Sequence, residues 1–345
     1  MALQVGIVRD DRYLEHKTGL VHPEHPNRLA ALYNMLDQDF PAEFMLIKPE
    51  PAAMDQLELV HTPTYIKKVL RTADRRFTYL APDTPAGPKS YLAAWLAVGG
   101  CLKALDLLMR GGARAAFALV RPPGHHALPD RATGFCIFNN LAVTARRALM
   151  AYGLRRVLIV DWDIHHGNGI QEVFYEESEV LYFSSHYLGT YPATGEWGET
   201  GRGAGTGYTV NLPLPKEMTD GEILHCYREI LGPVFRRWRP ELVLVAAGFD
   251  AHRQDPMSRT SLTERAFGFL TRLIMDLGAG NGGPPILLAL EGGYDIKSLT
   301  ASVREVLCAL TGRDDADGHP DLDPGRGPDL VETARRVHAA YGIWT

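Results

Sequence analysis

The chain is poor in cysteine. It has four in 345 residues, Cys101, Cys136, Cys226 and Cys308, and no two are close enough to make a CxxC pair. That spacing argues against a zinc site built on thiolates. It reads instead as reduced, mostly buried thiols in a cytoplasmic protein. A basic excess is also missing: 36 Lys and Arg stand against 41 Asp and Glu, for a formal net charge of −5. Direct nucleic-acid binding is therefore not expected. No apolar stretch is expected to reach the ~18 residues of a membrane span. Residues 1–4 run straight into the apolar Val5-Gly6-Ile7-Val8, which reads as a first strand and not as a signal peptide. There is no internal repeat and no clear linker, and oligomeric state is left open.

What is present is enough apolar material, 46% of residues, for one large α/β domain, taken here as residues 1–345. Nearly continuous apolar runs recur at 115–120, 156–161, 179–184, 241–246 and 285–290. Such runs suit strands of a parallel sheet covered on both faces. Helical patterns lie between them, at 90–109, 139–152, 219–237, 263–277 and 296–310. Thr219-Asp220 and Thr263-Glu264 carry helix-start signals. The Gly-rich stretches 198–207 and 278–285 read as loops. The first precedes the strand-like 208–212, which is the wrong order for a dinucleotide fingerprint.

The informative positions follow the strands. Val120 leads to Arg121-Pro122-Pro123-Gly124-His125-His126, and Val160 to Asp161-Trp162-Asp163-Ile164-His165-His166-Gly167-Asn168-Gly169. Ala246 leads to Gly248-Phe249-Asp250, and Leu290 to Glu291-Gly292-Gly293-Tyr294. In open α/β sheets, ligands sit beyond the carboxyl ends of strands. Burying this much ionisable chemistry is costly unless it is paired, and a metal is an economical partner. Asp163, His165 and Asp250 offer two oxygens and one nitrogen, a set that leaves coordination positions open for catalysis. It suits Zn²⁺ and also Fe²⁺.

These motifs, together with His16, His22-Pro23-Glu24-His25-Pro26-Asn27-Arg28, Gly134-Phe135, Ser184-Ser185-His186 and Asp250 to Pro256, resemble the zinc-dependent histone deacetylase family. That family includes acetylpolyamine amidohydrolases and acetoin-utilisation proteins. The resemblance runs from His16 to about Leu310, and Asn168 with the Glu291–Tyr294 run looks like a class II-like bacterial member. It implies a single-domain arginase/deacetylase-like fold, with a mainly parallel central sheet flanked by helices on both faces. It implies a zinc-dependent hydrolase that removes acetyl or other acyl groups from lysine side chains.

The resemblance also implies roles for named residues. Asp163, His165 and Asp250 match the zinc ligands. His126 matches the general base that activates water and then protonates the leaving amine, and His125 its electrostatic partner. Tyr294 matches the donor that polarises the acyl carbonyl and stabilises the oxyanion. Asp161 should hold His125, and Asn168 should orient His126. Phe135, Gly134, Tyr191 and Met257 match positions of a narrow acyl-lysine channel, Asp83 a rim aspartate that grips substrate backbone, and Arg28 an arginine lining an inner cavity. Asp161, Asp163, His165, Ser184 and Ser185 match a structural potassium site.

The substrate is implied as an acylated lysine peptide or protein, or a small acylated amine. Met257 follows Asp255-Pro256 where polyamine enzymes tend to carry an acidic residue, which leans against a polyamine. Two rival readings are a two-manganese ureohydrolase and a non-catalytic, metal- and ligand-binding pseudoenzyme. Tyr294 and the His125-His126 pair disfavour both.

Overall fold

The computed structural model describes residues 5–41, 43–279, 283–313 and 322–342. Its strands are β1 (Val5–Val8), β2 (Met45–Ile47), β3 (Thr78–Ala81), β4 (Thr84–Ala86), β5 (Ala115–Ala118), β6 (Val157–Asp161), β7 (Val180–His186), β8 (Thr209–Pro213), β9 (Leu242–Ala247) and β10 (Ile286–Leu290). Its helices are α1 (Asn27–Asp39), α2 (Met54–Leu57), α3 (Pro63–Leu70), α4 (Ser90–Met109), α5 (Asn140–Tyr152), α6 (Asn168–Phe174), α7 (Asp220–Pro233), α8 (Glu264–Gly278), α9 (Ile296–Thr311) and α10 (Gly327–His338).

Among the described residues, eight strands form one sheet in the order β2-β1-β5-β10-β9-β6-β7-β8, and every pairing in it is parallel. β3 and β4 make a separate antiparallel pair. Every residue of β5 to β10 is buried. Successive side chains point to opposite faces, so both faces of that part of the sheet are covered. This is the α/β architecture expected from the continuous apolar runs.

The strand order sets up the site. β5, β10, β9 and β6 are neighbours, in register through pairs such as Leu290 with Ala247 and Asp161 with Ala246. The segments that follow these four inner strands therefore leave the carboxyl end of the sheet side by side. They are the four segments that carry the histidines, carboxylates and tyrosine.

Three expectations need adjustment. The 20-residue α4 is, contrary to the expectation, long and apolar enough to cross a membrane by length and composition, but most of it is buried in the core. Helix α7 stops at Pro233 and continues as a wider π turn over Val234–Trp238, because proline has no N–H to donate to the preceding turn. The loop expected at 198–207 contains a short 3₁₀ turn, Gly203–Gly205, while residues 280–282 of the second loop and residues 1–4 lie outside the described residues. The cysteines are free thiols, three buried and Cys308 half-buried.

Candidate functional site

The centre of the site is a set of three ligating atoms from Asp163, His165 and Asp250, all within 4.8 Å of one another. Asp163 and His165 leave β6 two residues apart, and Asp250 leaves β9. His165 Nδ1 lies 3.0 Å from Asp163 Oδ1 and 3.0 Å from Asp250 Oδ2. Backbone donors fix the carboxylates. Asp163 Oδ1 accepts from His165 N and Oδ2 from Gly292 N, both at 2.9 Å, and Asp250 Oδ1 accepts from Ile164 N at 2.9 Å. Asp250 Oδ2 is buried and makes no hydrogen bond, although the imidazole is close.

That orphaned oxygen tests whether a cation fits, and it does. Burial raises the Asp250 carboxyl, and the Asp163 charge raises it further. Burial lowers His165, but the charges of Asp250 and Asp163 outweigh it and hold the imidazole well above its ordinary range. Two carboxylates crowd one imidazole, so a divalent ion would relieve the mismatch. Two glycines keep room for it. A Cβ on Gly248 would lie 2.0 Å from Asp163 Oδ2, and one on Gly292 would lie 2.2 Å from Asp250 Oδ2.

The two histidines after β5 stand beside this centre. Their rings are 4.0 Å apart between centroids, and His125 Nε2 is 3.9 Å from Asp163 Oδ2. His125 Nδ1 donates to Asp161 Oδ2 at 3.1 Å, and the Tyr182 hydroxyl donates to the same oxygen at 2.9 Å. Burial lowers His125, but Asp161, Asp163 and Glu291 outweigh it and push it up to about 10. His126 goes the other way. Burial lowers it first, then the His125 and His165 imidazoles, so it is held neutral. Its Nδ1–H donates to Asn168 Oδ1 at 2.8 Å, which leaves Nε2 as the free base nitrogen.

Aromatic groups line the approach. Phe135 meets Tyr294 edge-on at 5.9 Å between centroids, and Tyr191 meets His126 edge-on at 4.9 Å. Gly134 packs so closely on His126 that a Cβ there would lie 2.3 Å from the ring. Gly134 and Phe135 both have left-handed backbone, with φ of 58° and 68°. That conformation is costly for a phenylalanine and persists only where neighbours impose it. The β3–β4 connection supplies them: Gly134 N donates to Asp83 Oδ2 and Phe135 N to Thr84 Oγ1, both at 3.1 Å. Asp83 thus holds the turn that presents Phe135. Met257 is half-buried, and its N–H goes to Asp255. Arg28 is buried, not on a helix surface, and donates to the carbonyls of Gly293 and Glu291. Its guanidinium lies 4.9 Å from the Tyr294 ring centroid.

Ser184 pairs with Asp161 across β6 and β7. Ser184 Oγ faces His186 Nδ1 at 2.9 Å, and Ser185 Oγ faces the Tyr227 hydroxyl at 2.7 Å.

Sequence reasoning gave no role to several residues here. His22 lies edge-on to Phe135 at 4.6 Å and forms part of the same wall. Glu291 accepts from Gly124 N and His125 N, which ties the β10 segment to the histidine segment. Glu24 forms a buried ion-pair cluster with Arg121 and Arg28. All three fall inside motif segments, but a linear pattern does not say what a carboxylate will reach.

Comparison with known proteins shows the family. The family model described as "Histone deacetylase domain" matches residues 22–310. "Histone deacetylase 15" of Arabidopsis thaliana is 38% identical over 88% of this chain, which spans 56% of that protein's length. "Histone deacetylase-like amidohydrolase" of Pseudomonas aeruginosa is 36% identical, covering 79% of this chain and 72% of that protein. A solved structure, "Crystal Structure of HDA15 HD domain", superposes with a TM-score of 0.90 at 35% identity, covering 98% of this chain and 95% of that one. With the family model covering most of the sequence and a matching fold, the chain belongs to the histone deacetylase family and is a hydrolase acting on amides.

Proposed function

We propose that this protein is a zinc-dependent deacylase that removes acetyl or related acyl groups from lysine side chains of peptides and proteins. The observation that carries the reading is the convergence of the Asp163, His165 and Asp250 ligating atoms beside a neutral His126 and the Phe135–Tyr294 wall. Asp163, His165 and Asp250 would hold the metal. When bound, it would polarise the acyl carbonyl and acidify a water.

The chain's own groups do the rest. The aromatic wall takes the methylene stem of an acylated lysine by apolar contact. His126 Nε2 accepts the proton of the attacking water and later delivers it to the departing amine. His125, held by Asp161, supplies positive charge beside the reacting centre. The Tyr294 hydroxyl donates to the carbonyl oxygen as negative charge grows there. A structural potassium ion is proposed beside this centre, supported by Asp161 and Ser184 standing opposite each other on adjacent strands. Met257 matches a channel position at which polyamine enzymes tend to carry an acidic residue, and its apolar side chain supports acyl-lysine over acylated polyamine.

The test is hydrolysis of an acetyl-lysine peptide and an acetylated polyamine side by side, with a chelated control and elemental analysis of the purified protein. Chelator-sensitive turnover of the peptide with about one zinc per chain is the expected result. Dominant iron with higher iron-supported turnover would overturn the zinc assignment, and preference for the polyamine would overturn the substrate assignment. Tyr294→Phe should keep its metal and lose turnover by about 10²–10³, as when other oxyanion donors are removed. Near-normal turnover in that variant would sink the role given to the hydroxyl.

A further inference from the structure

Asp255 lies in the loop after β9, five residues beyond Asp250, and is only 5% exposed. Its two carboxylate oxygens take three backbone N–H groups. Oδ1 accepts from Met257 at 2.9 Å. Oδ2 accepts from Tyr294 at 2.5 Å and from Asp295 at 3.1 Å. The last two belong to the segment after β10, so one side chain bridges the loop that supplies a metal ligand and the loop that supplies the tyrosine. The rest of the tyrosine loop is tied elsewhere: Gly292 N to Asp163, and the Glu291 and Gly293 carbonyls to Arg28. Tyr294 comes directly after Gly293, whose φ is 115°, a conformation that gives the chain freedom to turn. The backbone of Tyr294 itself is held by Asp255.

We propose that Asp255 is a positioning residue for the deacylation: it fixes the Tyr294 backbone so that the phenol is aimed at the acyl carbonyl, and with the same carboxylate ties the Met257 backbone to that loop. The proposal rests on the reading of Tyr294 as the oxyanion donor. The chemistry requires a carboxylate. Three N–H donors converge on it, and an ionised carboxyl is acceptor-only with about four lone-pair sites. An amide would offer one oxygen and turn an NH₂ donor against at least one of those N–H groups. The hydroxyl sits at the far end of a long, stiff side chain, so a small backbone rotation moves it by a comparable or larger distance. A displacement of about 1 Å at a reacting group can cost on the order of 10² in rate.

The experiment is a double-mutant cycle. Asp255→Asn is made in the wild-type chain and in Tyr294→Phe, and kcat, KM for an acetyl-lysine peptide, metal content and Tm are measured. In the wild-type background, kcat should fall by about 10²-fold with KM changed by less than about threefold. Metal should stay near that of the parent. In the Tyr294→Phe background the same substitution should change kcat by less than about threefold, because no hydroxyl remains to misplace. Equal losses in both backgrounds, or loss of metal, would show that Asp255 serves only the fold or the metal loop. If Asp255→Asn does not fold, Asp255→Glu in the same cycle keeps the charge and shifts the acceptor by a methylene, and the same non-additivity is expected. The Tyr294→Phe single variant separates the two claims. Near-normal turnover there overturns the tyrosine reading and this proposal with it. A large loss there, with additive losses from Asp255→Asn, overturns only the positioning role.

Discussion

Replacing Gly292 by alanine should empty the proposed metal site while leaving the fold standing. The added Cβ would lie 2.2 Å from Asp250 Oδ2, 2.6 Å from Asp163 Oδ2 and 2.7 Å from Asp250 Cγ. These are the oxygens that converge on His165, and they have little room to retreat. Asp163 is held through both oxygens by the N–H groups of His165 and Gly292, and Asp250 by Ile164 N. Something must give, and each available movement spreads the ligand set. Gly292 has no left-handed φ, so space and not backbone freedom is what its missing side chain provides. Substitutions that only reorient ligands from outside typically cost 10- to 100-fold in metal affinity, and a side chain thrust between two ligands should exceed that.

The expected outcome is a chain that purifies with less than about a tenth of the wild-type metal and turns over at least about tenfold more slowly, because a bound metal takes several kcal/mol off the barrier. Gly198→Ala makes the control, because an added Cβ there meets nothing within 4 Å. Elemental analysis beside the peptide assay reads both. Wild-type metal content with normal turnover in Gly292→Ala would remove Asp163 and Asp250 from the ligand set.

The candidate metal-holding residues stood out in the sequence because they follow continuous apolar runs, and such runs are strands buried on both sides. The starts of two helices were legible for a similar reason. Thr219 caps α7 with Glu222 in a capping box, and Thr263 caps α8, so each start is written in a few adjacent residues. The order β5-β10-β9-β6 is not written locally. It depends on pairings between segments far apart in the chain, and it is what brings the four motif segments together at the carboxyl end of the sheet. β2 left no signal, being three residues long with Met45 and Leu46 exposed. The ties across loops were also invisible. Asp255 reaches residues about forty positions away, and Glu24 reaches Arg121 across 97, so no spacing rule connects them.

Glu24 leads to the second large effect, this time on stability. It is fully buried, with Arg121 and Arg28 both nearly inaccessible around it. Arg121 grips it through two nitrogens, Nη2 donating to Oε2 at 2.7 Å, and Arg28 Nη1 donates to Oε1 at 3.1 Å. His16 Nε2 lies 3.4 Å away. Substituting Glu24 by Gln keeps the shape and removes the charge, leaving two buried guanidinium groups without the carboxylate they share. Breaking a buried pair from one side costs about 3–5 kcal/mol. At about 2–4 °C per kcal/mol for a domain of this size class, Tm should fall by roughly 10 °C. The pH dependence gives the mechanism its own signature. Burial pushes the Glu24 carboxyl up, but the Arg121 charge and the His16 and Arg121 hydrogen bonds outweigh it and hold it well below the ordinary 4.5. A depressed carboxyl stabilises fully above its unfolded value and loses that contribution as pH falls toward the folded one. The gap in Tm between wild type and Glu24→Gln should therefore be fully present at neutral pH and close as pH falls well below about 4.5. A gap that is small at neutral pH, or that fails to narrow in acid, would mean that the pair is not what holds α1 to the segment after β5.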